Sequence, residues 1–142
     1  QQRLLSEIEK SGLSDCVNFL GSVFGEAKNR LWLSADVFVF PSYHPEGLPY
    51  SLLEAMAAGC VPITTRNAAM PDVMRHDVDG LFVPFNDVRA LADAIARLDD
   101  NRDLLVEMAG RGMQQIAERY TVKRLAADFE KIYLNLLKSF HG

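Results

Sequence analysis

Short apolar runs alternate along this chain with segments in which apolar residues recur every three or four positions. Short apolar runs at residues 37–40, 61–64 and 81–83 are typical of strands, whereas the periodic segments predict amphipathic helices. Strands that alternate with helices favour a parallel sheet, because parallel neighbours need a crossover connection. We therefore expect an α/β fold with a parallel sheet flanked by helices. Ligands of such sheets bind beyond the carboxyl ends of the strands, so the loops at these ends are the first candidates for chemistry.

The second half of the chain predicts three helices. Asn86 or Asp87 is the expected N-cap of the first, the second begins near Arg102, and Thr121 caps the third. The second helix is expected to bury Leu105, Met108 and Ile116. One face of the third carries Leu125, Phe129, Ile132 and Leu136. The apolar residues outside that face, namely Tyr133, Leu137 and Phe140, could form an adhesive outer surface, but we expect ordinary core positions for them.

The segment between two of the predicted strands carries most of the candidate chemistry. Residues 40–62 read FPSYHPEGLPYSLLEAMAAGCVP. Gly47 permits a close approach of the backbone, and Pro49 fixes the turn into a helix that opens near Tyr50 or Ser51. Together with the helix dipole, unsatisfied N–H groups at such a helix end predict a phosphate site. The groups concerned belong to Leu48, Tyr50, Ser51 and Leu52.

Two glutamates frame that helix end. Glu54, about one turn inside the helix, can accept hydrogen bonds from ribose hydroxyls, and Glu46 can do the same for hydroxyls at the far end of a diphosphate. Phosphate between two hydroxyl-binding carboxylates describes a sugar nucleotide. The alternative for Glu54 is a capping box, Ser51-x-x-Glu54, in which the carboxylate bonds the Ser51 amide. The alternative for Glu46 is a solvated loop carboxylate.

Several other classes of site are disfavoured by the sequence. A P-loop lysine and a GxGxxG motif are both absent, which argues against a Walker site and a dinucleotide fingerprint. Asp77-Val78-Asp79 has the form of a metal-binding DxD, but it precedes Gly80 in a predicted turn, and no cluster of His, Asp or Glu supports a metal. We therefore predict a turn and no metal site. His44 and His76 flank predicted strand ends. His44 neighbours Glu46 and could face a ligand there, but we expect it to be an exposed loop residue.

Composition and cysteine spacing bear on the class of ligand and on the cellular compartment. The net charge of −4 argues against nucleic-acid binding, and the sequence contains neither an apolar run of about 18 residues nor a visible signal peptide. Cys16 and Cys60 lack a CxxC spacing and are interpreted as reduced, buried thiols of a cytosolic protein. Trp32 is most simply interpreted as core.

An ordered set of motifs accompanies the two glutamates. Pro41-Ser42 follows an apolar strand, the pair Glu46 and Glu54 encloses Gly47-Leu48-Pro49, and the helix continues as EAMAAG before Val61-Pro62. Further agreement lies at residues 17–21, 35–36, 71–74, 80–84 and 90–92. This set closely resembles the donor-binding half of the family 4 (group 1) glycosyltransferases, which have the GT-B fold. The resemblance spans nearly the whole chain and implies a Rossmann-like C-terminal domain.

The resemblance also implies roles for individual residues. Glu46 would be the catalytic residue that contacts donor-sugar hydroxyls near the reacting carbon, and Glu54 would bind the ribose. The amides around Gly47 to Ser51 would hold the diphosphate, so the implied substrate-binding set is Gly47, Leu48, Pro49, Tyr50, Ser51 and Glu54. The family transfers sugar from UDP-, GDP- or similar donors with retention, and it needs no cofactor and no bound metal. The enzymes often serve polysaccharide or glycolipid assembly in the cytoplasm, where the full-length enzyme can be peripheral to the inner face of the membrane.

Two departures from the family pattern bear on the donor. Residues 67–72 read NAAMPD where the family often has Gly-Gly before Pro-Glu, and position 50 is Tyr50 where close relatives often carry a basic residue. These differences leave the donor sugar and base less defined than the activity class.

The same resemblance implies a domain organisation. Residues 1–142 would correspond to the C-terminal nucleotide-sugar-binding domain without its first βα units and without the N-terminal domain that binds a sugar or lipid-linked acceptor. We therefore expect this chain to be inactive alone. In the 3-2-1-4-5-6 sheet of such a domain, the strand at 17–20 would lose neighbours, and it would re-pair, form an open edge, or exchange with a second copy to give a homodimer.

Two alternatives to a transferase stay open at this point. One is a GT-B enzyme of different chemistry, such as a sugar-nucleotide epimerase or a phosphorylase. The other is a non-catalytic Rossmann-like module used for protein contacts. The presence of Glu46, Gly47 and Glu54 together argues against a decayed, non-catalytic site.

Overall fold

The computed structural model describes residues 2–44, 47–67 and 69–140. These residues divide into two units, Gln1–Leu31 and Trp32–Gly142. The helices are α1 Gln2–Lys10, α2 Gly25–Ser34, α3 Tyr50–Ala57, α4 Met70–Val73, α5 Val88–Asp100, α6 Arg102–Arg119 and α7 Val122–Phe140. The strands are β1 Val37–Phe40, β2 Val61–Thr65 and β3 Leu81–Val83.

The three strands form one parallel sheet in the order β1-β2-β3. Val37 pairs with Val61 at the start of β1, and Ile63 pairs with Leu81 at the start of β3. All five residues of β2 are buried, as expected for a central strand covered on both faces. The prediction of a parallel α/β sheet flanked by helices is confirmed.

Side chains that alternate along the strands divide the core into two clusters. One face carries Val61, Ile63 and Leu81, which pack with residues of α5 and of the first half of α6, among them Leu98 and Met108. The other face packs with α3, α4 and the end of α6. That cluster contains Leu52, Met56, Met70, Val73, Met74 and Ile116, with Phe38, Phe40 and Phe82 at its margin. The predicted burial of Leu105, Met108 and Ile116 on α6 is confirmed.

The predicted helix starts in the second half of the chain are also confirmed. The Asp87 side chain accepts a hydrogen bond from the Ala90 amide at 2.9 Å, so Asp87 caps α5. α6 begins at Arg102, and the hydroxyl of Thr121 accepts from the Arg124 amide at 3.2 Å before α7.

The predicted strand at residues 17–20 is not formed. The segment follows a turn in which the Val17 amide donates to the Leu13 carbonyl, and the side chains of Val17, Phe19 and Leu20 are exposed. An apolar run becomes a strand only where a neighbouring strand supplies ladder partners. Within the described residues, no ladder includes these positions. Dimerisation by strand exchange stays a prediction.

The expectation of core positions on α7 is wrong for this chain. No side chain of α7 is buried, and Tyr133, Leu137 and Phe140 are 57–81% exposed. Leu125 and Phe129, on the predicted apolar face, are also about half exposed. The two core clusters close with residues of the sheet and of α3 to α6, and so the apolar side of α7 contributes to neither.

Single residues modify the remaining expectations. Cys60 is buried as expected, whereas Cys16 is exposed, contrary to the prediction. Trp32 lies at the margin of the core with its ring edge-on to Phe38 at 5.2 Å between centroids. Within the described part of the chain, no helix combines the length and the apolar character needed to cross a bilayer.

Candidate functional site

The carboxyl ends of the strands bring three loops together. From the end of β2, the Thr64 hydroxyl donates to the Phe40 carbonyl at 2.7 Å, and the Thr65 hydroxyl donates to the carbonyl of Ser42. One step further, the Asn67 side-chain amide donates to the His44 carbonyl at 2.8 Å. These bonds join the loop after β1 to the loop after β2.

The helix α3 begins where the sequence predicts it. Pro49 is the N-cap, with an extended backbone (φ −71°, ψ 121°), and Tyr50 is the first helical residue. Leu48 packs against the core cluster beneath α3 and anchors the loop just before the helix. The first turn of α3 is therefore positioned at the carboxyl end of β1, where a ligand of a parallel sheet is expected.

The four amides proposed for phosphate binding differ in their hydrogen bonds within the chain, and their role in phosphate binding stays a prediction. The Leu52 amide donates to the Pro49 carbonyl at 3.0 Å, which tightens the first turn and removes this donor from the set. Within the described residues, the amides of Leu48, Tyr50 and Ser51 have no acceptor. As far as the described residues show, these donors lie next to the positive end of the helix dipole without a partner.

The capping-box interpretation of Glu54 is wrong in its placement of Ser51. A capping box requires the serine at the N-cap, whereas Ser51 is the second residue of α3 and the N-cap is Pro49. Glu54 is partly buried, one turn into the helix. Its ribose-binding role stays a prediction.

Glu46 and Pro45 lie outside the described residues, so the catalytic role of Glu46 stays a prediction. Gly47, which follows them, is exposed, and a Cβ atom built on it would meet no heavy atom of the described chain within 4 Å. Packing against the described residues therefore does not require glycine at this position. The sequence analysis predicts a different reason for this glycine, namely the close approach of a ligand to its backbone.

Both carboxylates of the DxD motif are engaged within the protein. Asp79 is wholly buried and accepts from the Arg75 guanidinium at 2.6 and 2.8 Å, while Asp77 pairs with Arg97. The backbone forms a turn here, with Asp77 at a φ of 62°, so the predicted turn is confirmed. Among the described residues, no group of three His, Cys, Asp or Glu side chains could hold a metal ion.

The two histidines differ in their surroundings. His76 accepts the Phe82 amide on Nδ1 at 2.9 Å, and its Nε2 lies 3.2 Å from Asp77. His44 is exposed as predicted, with its ring 4.1 Å from that of Tyr43. His76 therefore supports the turn before β3, whereas His44 faces solvent at the carboxyl edge of the sheet.

Sequence reasoning missed a groove at this edge. The groove has a volume of about 340 Å³, and its lining includes Tyr43, Thr65, Arg66, Asn67 and Phe85. The ring centroids of Tyr43 and Phe85 lie 4.8 Å apart, and the Arg66 guanidinium lies 5.0 Å from the Phe82 ring centroid. The signal in the sequence was the polar triplet Thr65-Arg66-Asn67 at the carboxyl end of a strand, where ligand contacts are expected.

Comparison with known proteins places the chain in a family. The family model described as glycosyl transferases group 1 matches residues 1–115. The chain is 33% identical over 136 residues to the exopolysaccharide phosphotransferase of Streptomyces coelicolor, covering 95% of this chain and 14% of that protein. It is also 33% identical over 122 residues to a GDP-mannose-dependent α-(1-6)-phosphatidylinositol monomannoside mannosyltransferase of Mycobacterium tuberculosis, covering 82% of this chain and 32% of that protein.

A solved structure shows the same fold. HepE of Anabaena, determined in complex with UDP, superposes with a TM-score of 0.86 at 20% identity, covering 94% of this chain and 36% of that one. This chain thus spans between 14% and 36% of the length of these three proteins. It belongs to the group 1 glycosyltransferase family, and its Rossmann-like parallel sheet is part of a GT-B fold.

Proposed function

We propose that this chain is the donor-binding part of a retaining glycosyltransferase that moves a sugar from a UDP- or GDP-linked donor to a sugar or lipid-linked acceptor. The observation that carries the proposal is the start of α3 at the carboxyl end of β1, where the amides of Leu48, Tyr50 and Ser51 have no acceptor within the described residues. The names of the relatives and the UDP complex of HepE support it. Polysaccharide or glycolipid assembly is the proposed setting.

The helix end supplies the electrostatic part of the chemistry. In glycosyl transfer the bond between the anomeric carbon and the leaving phosphate oxygen breaks, and negative charge grows on the diphosphate. Amide donors fixed at the positive end of a helix dipole stabilise that charge without reorganising during the reaction. In this proposal the α3 amides hold the diphosphate, and no metal ion takes part.

The two glutamates hold the parts of the donor on either side of the diphosphate. Glu54, one turn into α3, accepts from the ribose hydroxyls, and Glu46 contacts the hydroxyls of the donor sugar near the reacting carbon. Gly47 lets the diphosphate approach the backbone between them. Retention requires the acceptor oxygen to bond the anomeric carbon on the face from which the diphosphate leaves.

Calorimetric titration of the natural protein that carries this chain, with UDP, GDP and ADP in turn, tests the proposal. One nucleotide should bind, and Glu54→Ala should weaken its binding about tenfold or more, because a charged acceptor of two hydroxyls is lost. Glu130→Ala, which changes an exposed glutamate of α7, is the matched control and should leave the affinity unchanged.

The alternatives appear as distinct outcomes of the same work. Absence of binding for all three nucleotides would favour the non-catalytic module. If a nucleotide binds, incubation with its sugar donor separates the enzyme classes: a transferase releases the nucleotide diphosphate, whereas an epimerase converts the sugar while it remains attached. Equal affinities of the wild type and Glu54→Ala would remove the ribose role of Glu54.

A further inference from the structure

We propose that His76 is a proton-sensitive latch on the outer edge of β3: the neutral ring holds the Phe82 amide, and the protonated ring releases it. This role concerns the order of the sheet and is independent of the proposed transfer of a sugar. Three features carry it, namely the position of β3 in the sheet, the hydrogen bond between Phe82 and His76, and the charged groups around the ring.

β3 lies at one end of the sheet. Within the described residues it pairs with β2 and has no strand on its other side. The Phe82 amide finds its acceptor in a side chain, since it donates to Nδ1 of His76 at 2.9 Å. Unpaired N–H groups on such an edge are open to water or to another strand. His76 therefore supplies, at this amide, the acceptor that a further strand would supply.

The turn before β3 positions the His76 ring. The Asp77 amide donates to the Gly80 carbonyl at 3.0 Å, and the backbone of His76 forms an isolated bridge with Gly80. The rings of His76 and Phe82 are nearly parallel, with 6.2 Å between their centroids and an interplanar angle of 22°. The His76 side chain is 43% exposed, so protons from solvent reach a ring that the turn already holds in place.

The hydrogen bond to Phe82 requires an unprotonated Nδ1. Neutral imidazole has one donor and one acceptor nitrogen, so an accepting Nδ1 leaves the ring proton on Nε2. Nε2 lies 3.2 Å from the Asp77 carboxylate, which can accept that proton in a hydrogen bond. A second proton binds at Nδ1 and makes it a donor that faces another N–H group. The bond to Phe82 is then lost, and the ring has to turn away from the amide.

Charged groups from three parts of the fold surround this arrangement. They are Asp77 and the pair of Arg75 with Asp79 in the turn, Arg97 on α5, and Arg66 directly after β2. Asp77 faces Nε2 and attracts an imidazolium, whereas Arg97, which shares the Asp77 carboxylate, opposes it. Arg66, at 5.0 Å from the Phe82 ring centroid, also opposes it. Because the contact with Asp77 survives protonation, we expect the change to be confined to the edge of β3.

Hydrogen–deuterium exchange of the natural protein that carries this chain tests the latch. Mass spectrometry with fragmentation of the peptides resolves the Phe82 amide, and protection factors correct for the intrinsic exchange rate at each pH. Between about pH 8 and about pH 5, the protection factor of this amide should fall about fivefold to tenfold, because one hydrogen bond is lost.

Two substitutions of His76 separate the acceptor from the proton. His76→Asn places a side-chain oxygen close to the position of Nδ1 and does not titrate, so the Phe82 amide should be protected at both pH values. His76→Phe keeps a ring but removes the acceptor, so protection should be low at both. His44→Asn changes an exposed histidine and should leave the response of the wild type unchanged.

A second amide separates local release from opening of the whole chain. The Leu105 amide, at the start of α6, donates to the Asn101 carbonyl at 3.2 Å and involves no titrating group. A fall at Phe82 that spares Leu105 and is absent from both His76 variants supports the latch. The latch is overturned if Phe82 keeps its protection in the wild type, if His76→Asn responds to pH as the wild type does, or if Leu105 loses as much protection as Phe82.

Discussion

At the scale of single residues, Gly80 is the most closely packed of the described glycines, in the turn before β3. A Cβ atom at Gly80 would lie 2.8 Å from the Met74 methyl group, the Pro62 ring and the Pro62 carbonyl oxygen. Gly110, on the exposed side of α6, has open space around the same position. Packing therefore requires a glycine at position 80 but not at position 110, although the sequence alone does not distinguish the two positions.

Alanine substitutions at these glycines should change stability in opposite directions. Gly80→Ala forces the β2 backbone or the Met74 side chain to shift, and we expect a loss of about 1–3 kcal/mol in the free energy of unfolding. Gly110→Ala removes a flexible residue from the middle of a helix, and we expect a gain of about 0.5–1 kcal/mol. Urea unfolding of both variants and the wild type measures the two changes. Equal changes in the two variants would contradict the packing described here.

At the scale of elements, Cys60 connects the end of α2 to the start of β2. Its sulfur lies 3.3 Å from the carbonyl oxygens of both Trp32 and Ala35, in the segment that ends the helix. Burial raises the pKa of the Cys60 thiol, and the nearby carboxylate of Asp36 raises it further. Cys16 is exposed and provides an internal comparison.

This difference predicts a pH-dependent contrast in reactivity. Because the pKa of the Cys60 thiol is raised in the folded chain, its stabilising contribution is complete below the pKa of the unfolded thiol. That contribution is lost as the pH rises through the folded value. At about pH 8, iodoacetamide should modify Cys60 more than about tenfold more slowly than Cys16. Mass spectrometry of timed digests gives both rates, and equal rates would contradict the burial of the thiol.

At the scale of the whole molecule, the apolar side chains of α7 are not part of the buried core. The buried residues lie in the sheet and in α3 to α6, whereas the apolar residues of α7 are exposed, with Phe140 at 81%. Exposed apolar surface of this extent favours association.

We expect the isolated 142-residue chain to self-associate through α7. Phe129→Ser with Leu137→Ser should weaken association about tenfold or more, because each removes a large apolar side chain. The free energy of unfolding should change by less than about 0.5 kcal/mol, because neither side chain is buried. Lys131→Ser is the control. Sedimentation velocity at increasing concentration measures association, and a monomer at all concentrations would contradict the prediction.

The sequence predicted the parts of the fold that depend on local pattern. β2 is buried on both faces, so a continuous apolar run identified it, and Asp87 and Thr121 were identified as caps by residue type. The segment at 17–20 forms no ladder, because a short sequence does not reveal whether a partner strand lies beside it.

The candidate site shows the same division. The helix start at Tyr50 was predicted from Gly47 and Pro49, since turn chemistry is local. The use of the Leu52 amide inside the first turn was not predicted, because it depends on the tightness of that turn. The meeting of Tyr43 and Phe85, which are far apart in sequence, depends on the register of three parallel strands.

The hydrogen bonds that hold the loop after β1 do not depend on which side chains that loop carries. Thr64, Thr65 and Asn67 donate hydrogen bonds to the backbone carbonyl oxygens of Phe40, Ser42 and His44. Every amino acid has such a carbonyl. The side chains at positions 43 and 44 take no part in these three hydrogen bonds. Substitution at these two positions can therefore change the surface of the loop while its hydrogen bonds to β2 and the residues after it are kept.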